Sequence, residues 1–387
     1  MDTFSIYLST SRTPSSTNTN EQHESPPKND TPLETDHFSF PPEWHPHLAT
    51  VMCFPSRASC LESLWEKNCE EIVDLAGAIA EFELVRLYTL HVIPIPINHC
   101  WVRDTGPIYV HDATGKPDSR QRLAIDLKFN EWGNKNGWEG THGHYRYGNP
   151  SVTKKQLEEN TEFAHNVISV DQLPSSVRRV VPKIRAEGGG LVVDGEGTLI
   201  LAESYMVCEQ SNPGQSRADI EQELRRLLGV EKVIWVSGRK NLDITDCHLN
   251  AEVRFVRPGV VVMTRHSPDA VDAHEWIKCG KEILEALQNE TDARGRKFEI
   301  HFIGEPDPNS LGILPKDEFV SSYLNSYFCN GGLIIPAFRS DTHDQKALET
   351  WQFLLPDRKV RQVPLRTIPL SGGVIHCVTQ QGPAPEV

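Results

Sequence analysis

Apolar residues recur along this chain with two periods that alternate. Stretches at helical spacing, such as 72–82, give way after a short connection to runs at strand spacing, here Leu84-Val85-Arg86-Leu87-Tyr88. The same hand-over leads from 220–228, through Gly229, to Val233-Ile234-Trp235-Val236. It recurs from 347–355, through Pro356-Asp357, to Val360-Arg361-Gln362-Val363, and again from 275–287 to Phe298-Glu299-Ile300-His301-Phe302. This repetition predicts an α/β fold built from similar modules. An ordinary doubly wound sheet also alternates helix and strand, and the pattern alone does not separate the two.

Residues 8–37 are rich in Ser, Thr, Pro, Asn and Glu and poor in apolar side chains. Such a stretch buries too little surface to offset its ordering entropy, which predicts a disordered tail over 1–37. A single folded domain is expected over 38–382, with a short tail at 383–387. At 387 residues the chain exceeds the usual single-domain length, so length alone suggests two or three domains. The formal charge of −14 disfavours nucleic acid and is compatible with a cationic ligand. Neither a membrane-length apolar run nor a secretory signal is legible. The nine cysteines are odd in number and form no C-x-x-C pair, so reduced thiols and a cytoplasmic setting are expected.

Four segments carry chemistry-bearing residues. Ser371-Gly372-Gly373-Val374-Ile375-His376-Cys377 puts a thiol after a glycine pair. There a nucleophile can stand exposed at a strand entry, although a thiol that merely packs is the commoner fate. In Trp101-Val102-Arg103-Asp104-Thr105-Gly106-Pro107 the Gly-Pro turn places Asp104 at a strand end. Glu187-Gly188-Gly189-Gly190 allows close backbone approach to a ligand, and a hairpin connection explains the glycines equally well. After Cys247, a strand would put His248, Asn250, Glu252 and Arg254 on one face, a polar row that suits a wet cavity. His142-Gly143-His144 has metal-like spacing but no third ligand, and no metal is expected.

Together these segments resemble the agmatine deiminase / Porphyromonas-type peptidylarginine deiminase family of the guanidine-modifying superfamily. Further matches are Pro42-Glu43-Trp44, Phe129-Asn130-Glu131-Trp132-Gly133, Arg254-Phe255-Val256-Arg257-Pro258-Gly259, Tyr323-Leu324-Asn325-Ser326-Tyr327 and Asn330-Gly331. In the family's order they span nearly all of 41–381. The resemblance implies a fivefold pseudo-symmetric α/β propeller of ββαβ modules with the site on its axis. It implies hydrolysis of a small cationic guanidino substrate, most simply agmatine, without cofactor. Asp104 and Glu187 would grip the guanidinium, Cys377 would attack its carbon, and His248 would move protons. Trp101 would form a wall of the substrate site, with Asn250, Glu252 and Gly373 lining it.

Three positions depart from the family pattern. The usual His-x-Asp is His248-Leu249-Asn250, an acid expected at 99 is His99, and an Arg expected at 211 is Ser211. Replacing one charged acceptor by an amide forfeits about 1.5–3 kcal/mol, tenfold or more in transition-state binding. Glu252, where the family has an apolar residue, is a compensating candidate about 6.8 Å along the strand from Asn250; pairing with Arg254 or another base is the alternative. Deimination of peptidyl-arginine, amidinotransferase chemistry and a catalytically impaired guanidino-binding homologue are the competing readings. A homo-oligomer is compatible with the sequence.

Overall fold

Helix and strand follow one another as the hydrophobic periods predict, yet the strands close into five separate sheets instead of one. A single doubly wound sheet is thereby excluded. The structure, a computed structural model, describes residues 38–57, 62–88, 95–113, 121–135, 153–171, 177–312 and 319–385. The tail at 1–37 and the His142 and His144 pair lie outside them.

Strands β1 (Phe38–Ser39) and β2 (His47–Cys53) come first, and α1 (Glu62–Ala80) carries the chain from β2 to β3 (Val85–Tyr88), which runs parallel to β2. A hairpin of β4 (Ile108–Asp112) and β5 (Arg122–Ile125) is followed by α2 (Lys154–Val170) and β6 (Arg178–Val180), parallel to β5. The pattern repeats in β7 (Val192–Val193), β8 (Thr198–Ala202), α3 (Arg217–Leu228) and β9 (Lys232–Val236). It repeats in β10 (Val253–Arg257), β11 (Val260–Arg265), α4 (Ala273–Asn289) and β12 (Glu299–Gly304). The last full copy is β13 (Tyr327–Cys329), β14 (Gly332–Ala337), α5 (Asp341–Leu354) and β15 (Lys359–Pro364). Finally β16 (Gln380–Pro383) returns to pair antiparallel with β2, supplying the hairpin partner that β2 lacks in sequence.

Each module obeys the same constraint. Antiparallel neighbours need only a tight turn, whereas a parallel third strand needs a crossover long enough to hold a helix. The crossover helices bury one stripe: Ile72, Leu75 and Ile79 in α1; Ile220, Leu224 and Leu227 in α3; Ile283 and Leu287 in α4. Ser216 and Asp219 form a capping box at the start of α3, and Gly229 closes it at φ +66°, a conformation glycine adopts without penalty. Thr153 and Gln156 start α2 the same way. The fifth helix–strand pair, α2 to β6, has no counterpart in the sequence reading. Its strand is only Arg178-Arg179-Val180, and Arg179 is held by Asp126 Oδ2 at 2.6 Å instead of by an apolar face. Among the described residues no helix is long and apolar enough to cross a membrane.

Candidate active site

The residues singled out for chemistry occupy equivalent places in different modules, each just ahead of a module's first strand. Asp104 precedes β4, Glu187 precedes β7, His248 precedes β10 and Cys377 precedes β16. Asn325, ahead of β13, completes the set. The local conformations differ from those expected. Asp104 is not at a strand end but in the short helix Val102–Thr105. Glu187 caps a 3-10 turn, Gly188–Gly190, and Cys377 lies in another, His376–Val378.

The polar row after Cys247 is the main correction. His248 is followed by a 3-10 turn, Leu249–Ala251, and Glu252 has helical angles of φ −102° and ψ −44°. The chain becomes extended only at Val253, so His248, Asn250 and Glu252 do not share a strand face. The turn is set upstream. Asp243 Oδ1 accepts from the N–H groups of Thr245 and Cys247, and Thr245 Oγ1 accepts from His248 N. Glu252 therefore does not stand beside Asn250. It bonds to His266 Nε2 at 2.7 Å, while Arg254 pairs with Glu43.

Around His248 the groups converge. Its Nδ1 is 3.6 Å from Asp104 Oδ1 and its Nε2 3.6 Å from Glu187 Oε2. Asp104 is fixed by two donors, Trp132 Nε1 at 2.9 Å and Gly189 N at 3.1 Å. Gly189 lies at the centre: a Cβ there would sit 2.6 Å from His248 Nδ1, 2.9 Å from Asp104 Oδ1 and 3.2 Å from Asn250 Nδ2. Close approach, not a special φ, explains this glycine. Gly373 plays the same part for the thiol loop, since its Cβ would meet the Trp101 ring at 2.5 Å and Cys377 Cβ at 3.0 Å. Trp101 thus packs against the cysteine loop.

Two amides point at the sulfur. Asn325 Nδ2 is 3.3 Å and Asn250 Nδ2 3.8 Å from Cys377 Sγ. The Asn325 carbonyl oxygen accepts from His376 N at 2.9 Å, so one side chain clamps both ends of this turn. Asn250 also donates to Nδ1 of His376 at 2.9 Å, and His376 Nε2 bonds to Glu43. That pattern requires a neutral imidazole with its proton on Nε2. Burial, then Arg103 and Arg254, holds the His376 pKa well below its ordinary value. An amide at 250 therefore matches a neutral His376, which a carboxylate acceptor would not.

Burial disfavours the His248 cation, but Asp104 and Glu187 outweigh it and raise its pKa. The Cys377 thiol is also raised, first by burial and then by the charge of Asp104, against the amide bonds of Asn325 and Asn250. Beneath the site, burial lowers Arg103 to about 10 and Arg254 to about 9.

Of the other two departures, His99 has structural partners and Ser211 lines a cavity. His99 Nε2 bonds to Glu131 Oε2 at 2.9 Å and packs edge-on against Trp132, the indole that holds Asp104. Glu131 Oε1 in turn accepts from Asn160 at 2.7 Å. Ser211 is buried beside a cavity of about 170 Å³ whose wall includes Glu187, Tyr205, Lys135 and Lys240. Among the described residues no group of three or more His, Cys, Asp and Glu is placed to hold a metal ion.

Sequence reasoning did not assign roles to Glu43, Trp132, Tyr205, Asn325 or His376. All but Tyr205 lie inside the recurring motifs, which was the available signal. Tyr205 gave none; its ring meets His248 edge-on at 5.2 Å and would collide with any Cβ at Gly190.

The class is that of the agmatine deiminase fold. The solved agmatine deiminase of Enterococcus faecalis superposes with a TM-score of 0.71 at 24% identity, covering 91% of this chain and 98% of that one. Residues 39–383 match the Porphyromonas-type peptidyl-arginine deiminase family, and the chain belongs to that family. Agmatine deiminase of Pseudomonas aeruginosa is 33% identical over 381 residues, covering 90% of this chain and 96% of that protein. Agmatine deiminase of Stutzerimonas stutzeri is 32% identical over 387 residues, covering 91% and 97%.

Proposed function

We propose that the protein hydrolyses agmatine to N-carbamoylputrescine and ammonia through a covalent intermediate on Cys377. The observation that carries this reading is that Asp104 and Glu187, from two modules, flank His248 of a third, whose neighbour Asn250 reaches Cys377. A fivefold pseudo-symmetric propeller, with these pre-strand segments gathered at its axis, is the arrangement we propose for the modules. A cytoplasmic setting suits the free thiols of the eight described cysteines.

The chemistry follows from the charges. Burial, and after it the charge of Asp104, keeps the Cys377 thiol protonated; a guanidinium placed between Asp104 and Glu187 compensates the Asp104 part. The thiol proton passes to solvent, and the thiolate attacks the guanidinium carbon, forming a C–S bond while the C=N π pair moves onto nitrogen to give a neutral tetrahedral adduct. His248, protonated because of its carboxylate neighbours, donates to the departing nitrogen, which leaves as ammonia. The neutral imidazole next takes a proton from water as the oxygen adds to the thiouronium carbon. Cleavage of the C–S bond returns the thiolate and releases the ureido product, the adduct's hydroxyl proton passing to solvent, where it converts the released ammonia to ammonium. Trp132 and Gly189 keep Asp104 in position throughout.

Ammonia release from agmatine, free arginine and an arginine-containing peptide tests the proposal. Agmatine is expected to be the best substrate, and Cys377→Ser is expected to abolish the signal. Turnover of the peptide alone would assign peptidyl-arginine instead, and undiminished activity in Cys377→Ser would remove the covalent route.

A further inference from the structure

Trp132, whose indole fixes Asp104, stands on backbone that few residues other than glycine adopt. Glu131, Trp132 and Gly133 follow one another at φ +58°, +52° and +85°. Only the glycine enters that left-handed region without steric cost, so two larger residues in succession need support from outside. Part of the support is local, since Asn130 Oδ1 accepts from Gly133 N at 3.0 Å.

The rest comes from two other segments and converges on the Glu131 carboxylate. His99 Nε2 bonds to its Oε2 at 2.9 Å, and Asn160 Nδ2, from α2, donates to its Oε1 at 2.7 Å. Asn160 Oδ1 also accepts from Asn98 N at 3.0 Å, so the helix ties the residue before His99 to the residue before Trp132. His99, Glu131 and Asn160 are 3%, 6% and 0% exposed, which leaves little water to compete for these bonds. Burial opposes the charge on Glu131, yet the charge and hydrogen bond of His99, with the Asn160 amide, outweigh it and lower its pKa. The rings of His99, Phe129 and Trp132 pack edge to face in all three pairings, with centroids from 4.8 to 6.1 Å apart. The acid expected at position 99 would face Glu131 as a like charge; His99 complements it.

Resting on the deiminase reading above, we propose that His99 and Glu131 are positioning residues for the reaction. As a buried pair they hold the turn at 131–133 so that the Trp132 indole presents its N–H to Asp104, the carboxylate that receives the substrate's guanidinium. Both act through Trp132 and Asp104, not on the substrate itself.

The test is a double-mutant cycle in kcat/KM for agmatine between His99→Ala and Trp132→Phe, which keeps an aromatic ring but removes the N–H. Each variant alone is expected to lower kcat/KM about tenfold. In the Trp132→Phe background, His99→Ala is expected to lower it by less than about twofold more, because the bond it serves is already gone. Equal losses in both backgrounds overturn the proposal, as does a loss under about twofold in His99→Ala alone. Should thermal melts show that His99→Ala does not fold, Glu131→Gln takes its place under the same criteria. If Trp132→Phe does not fold, or if wild type turns over no agmatine, which removes the deiminase reading itself, alkylation of Cys377 decides. Burial and then the charge of Asp104 raise this thiol, so a carboxylate released from the indole should let it ionise more readily. The pH of half-maximal iodoacetamide alkylation is expected to fall by about half a unit in His99→Ala. An unmoved or rising value overturns the proposal.

Discussion

At the scale of single residues, Asn250 is one of two amides that favour the thiolate of Cys377 against burial and the charge of Asp104. Its amide donates to neutral His376 and reaches toward Cys377 Sγ at 3.8 Å, alongside Asn325 at 3.3 Å. Asn250→Asp would put a second carboxylate charge near the sulfur in addition to that of Asp104. Even at an effective dielectric near ~20, such a charge is expected to raise the thiol pKa by about one unit or more. The pH at which iodoacetamide alkylates Cys377 at half its maximal rate should move up accordingly; an unmoved profile would mean that Asn250 does not tune the sulfur. Asn325→Ala should shift the profile in the same direction, because a donor to the thiolate is lost. Asn250 was legible in the sequence as a departure, but its purpose was not. That purpose depends on His376, Glu43 and two arginines brought in from other parts of the chain.

At the scale of elements, short helical turns, not strands, present the chemistry. The row His248, Asn250, Glu252 and Arg254 alternates in sequence as a strand would. Side-chain bonds from Asp243 and Thr245 instead coil the segment before β10 begins. Local competition of this kind is invisible to a two-residue period. The glycine turn Gly188–Gly190 is the counterpart on the other side of the imidazole. Gly189→Ala would drive a methyl into His248 and Asp104, and kcat is expected to fall about a hundredfold. A melting temperature close to wild type would show that the loss is local. Retention of full activity would mean that the two side chains can move apart freely. The long helices α1, α3, α4 and α5 were all legible, because each shows a clear apolar stripe and is followed by a β-branched run. Strand β6 was not, being short and charged.

At the scale of the molecule, closure and buried charge decide the behaviour. Strand β16 pairs with β2, so the last strand completes the first sheet and brings Cys377 in with it. Buried charge gives the fold a pH signature. Folding raises His266 from its ordinary value of 6.5 to about 11, with burial opposed and exceeded by Glu252 and Glu305. The resulting stabilisation is complete below pH 6.5 and is lost as pH climbs from there toward 11. Melting temperatures should therefore fall across that range more steeply in wild type than in His266→Gln; parallel curves would show that the imidazole is neutral in the fold. The sequence by itself determined the alternation of helix and strand, the glycines, and the residue types able to bind and attack a guanidinium. Those features depend on local period and on the chemistry of individual side chains. Tertiary structure decided that the strands form five sheets, that Glu252 turns toward His266 and not Arg254, and that the distant segments carrying Asp104 and Glu187 meet at the His248 imidazole. Such pairings are set by packing and buried charge between segments hundreds of residues apart, about which local spacing carries no information.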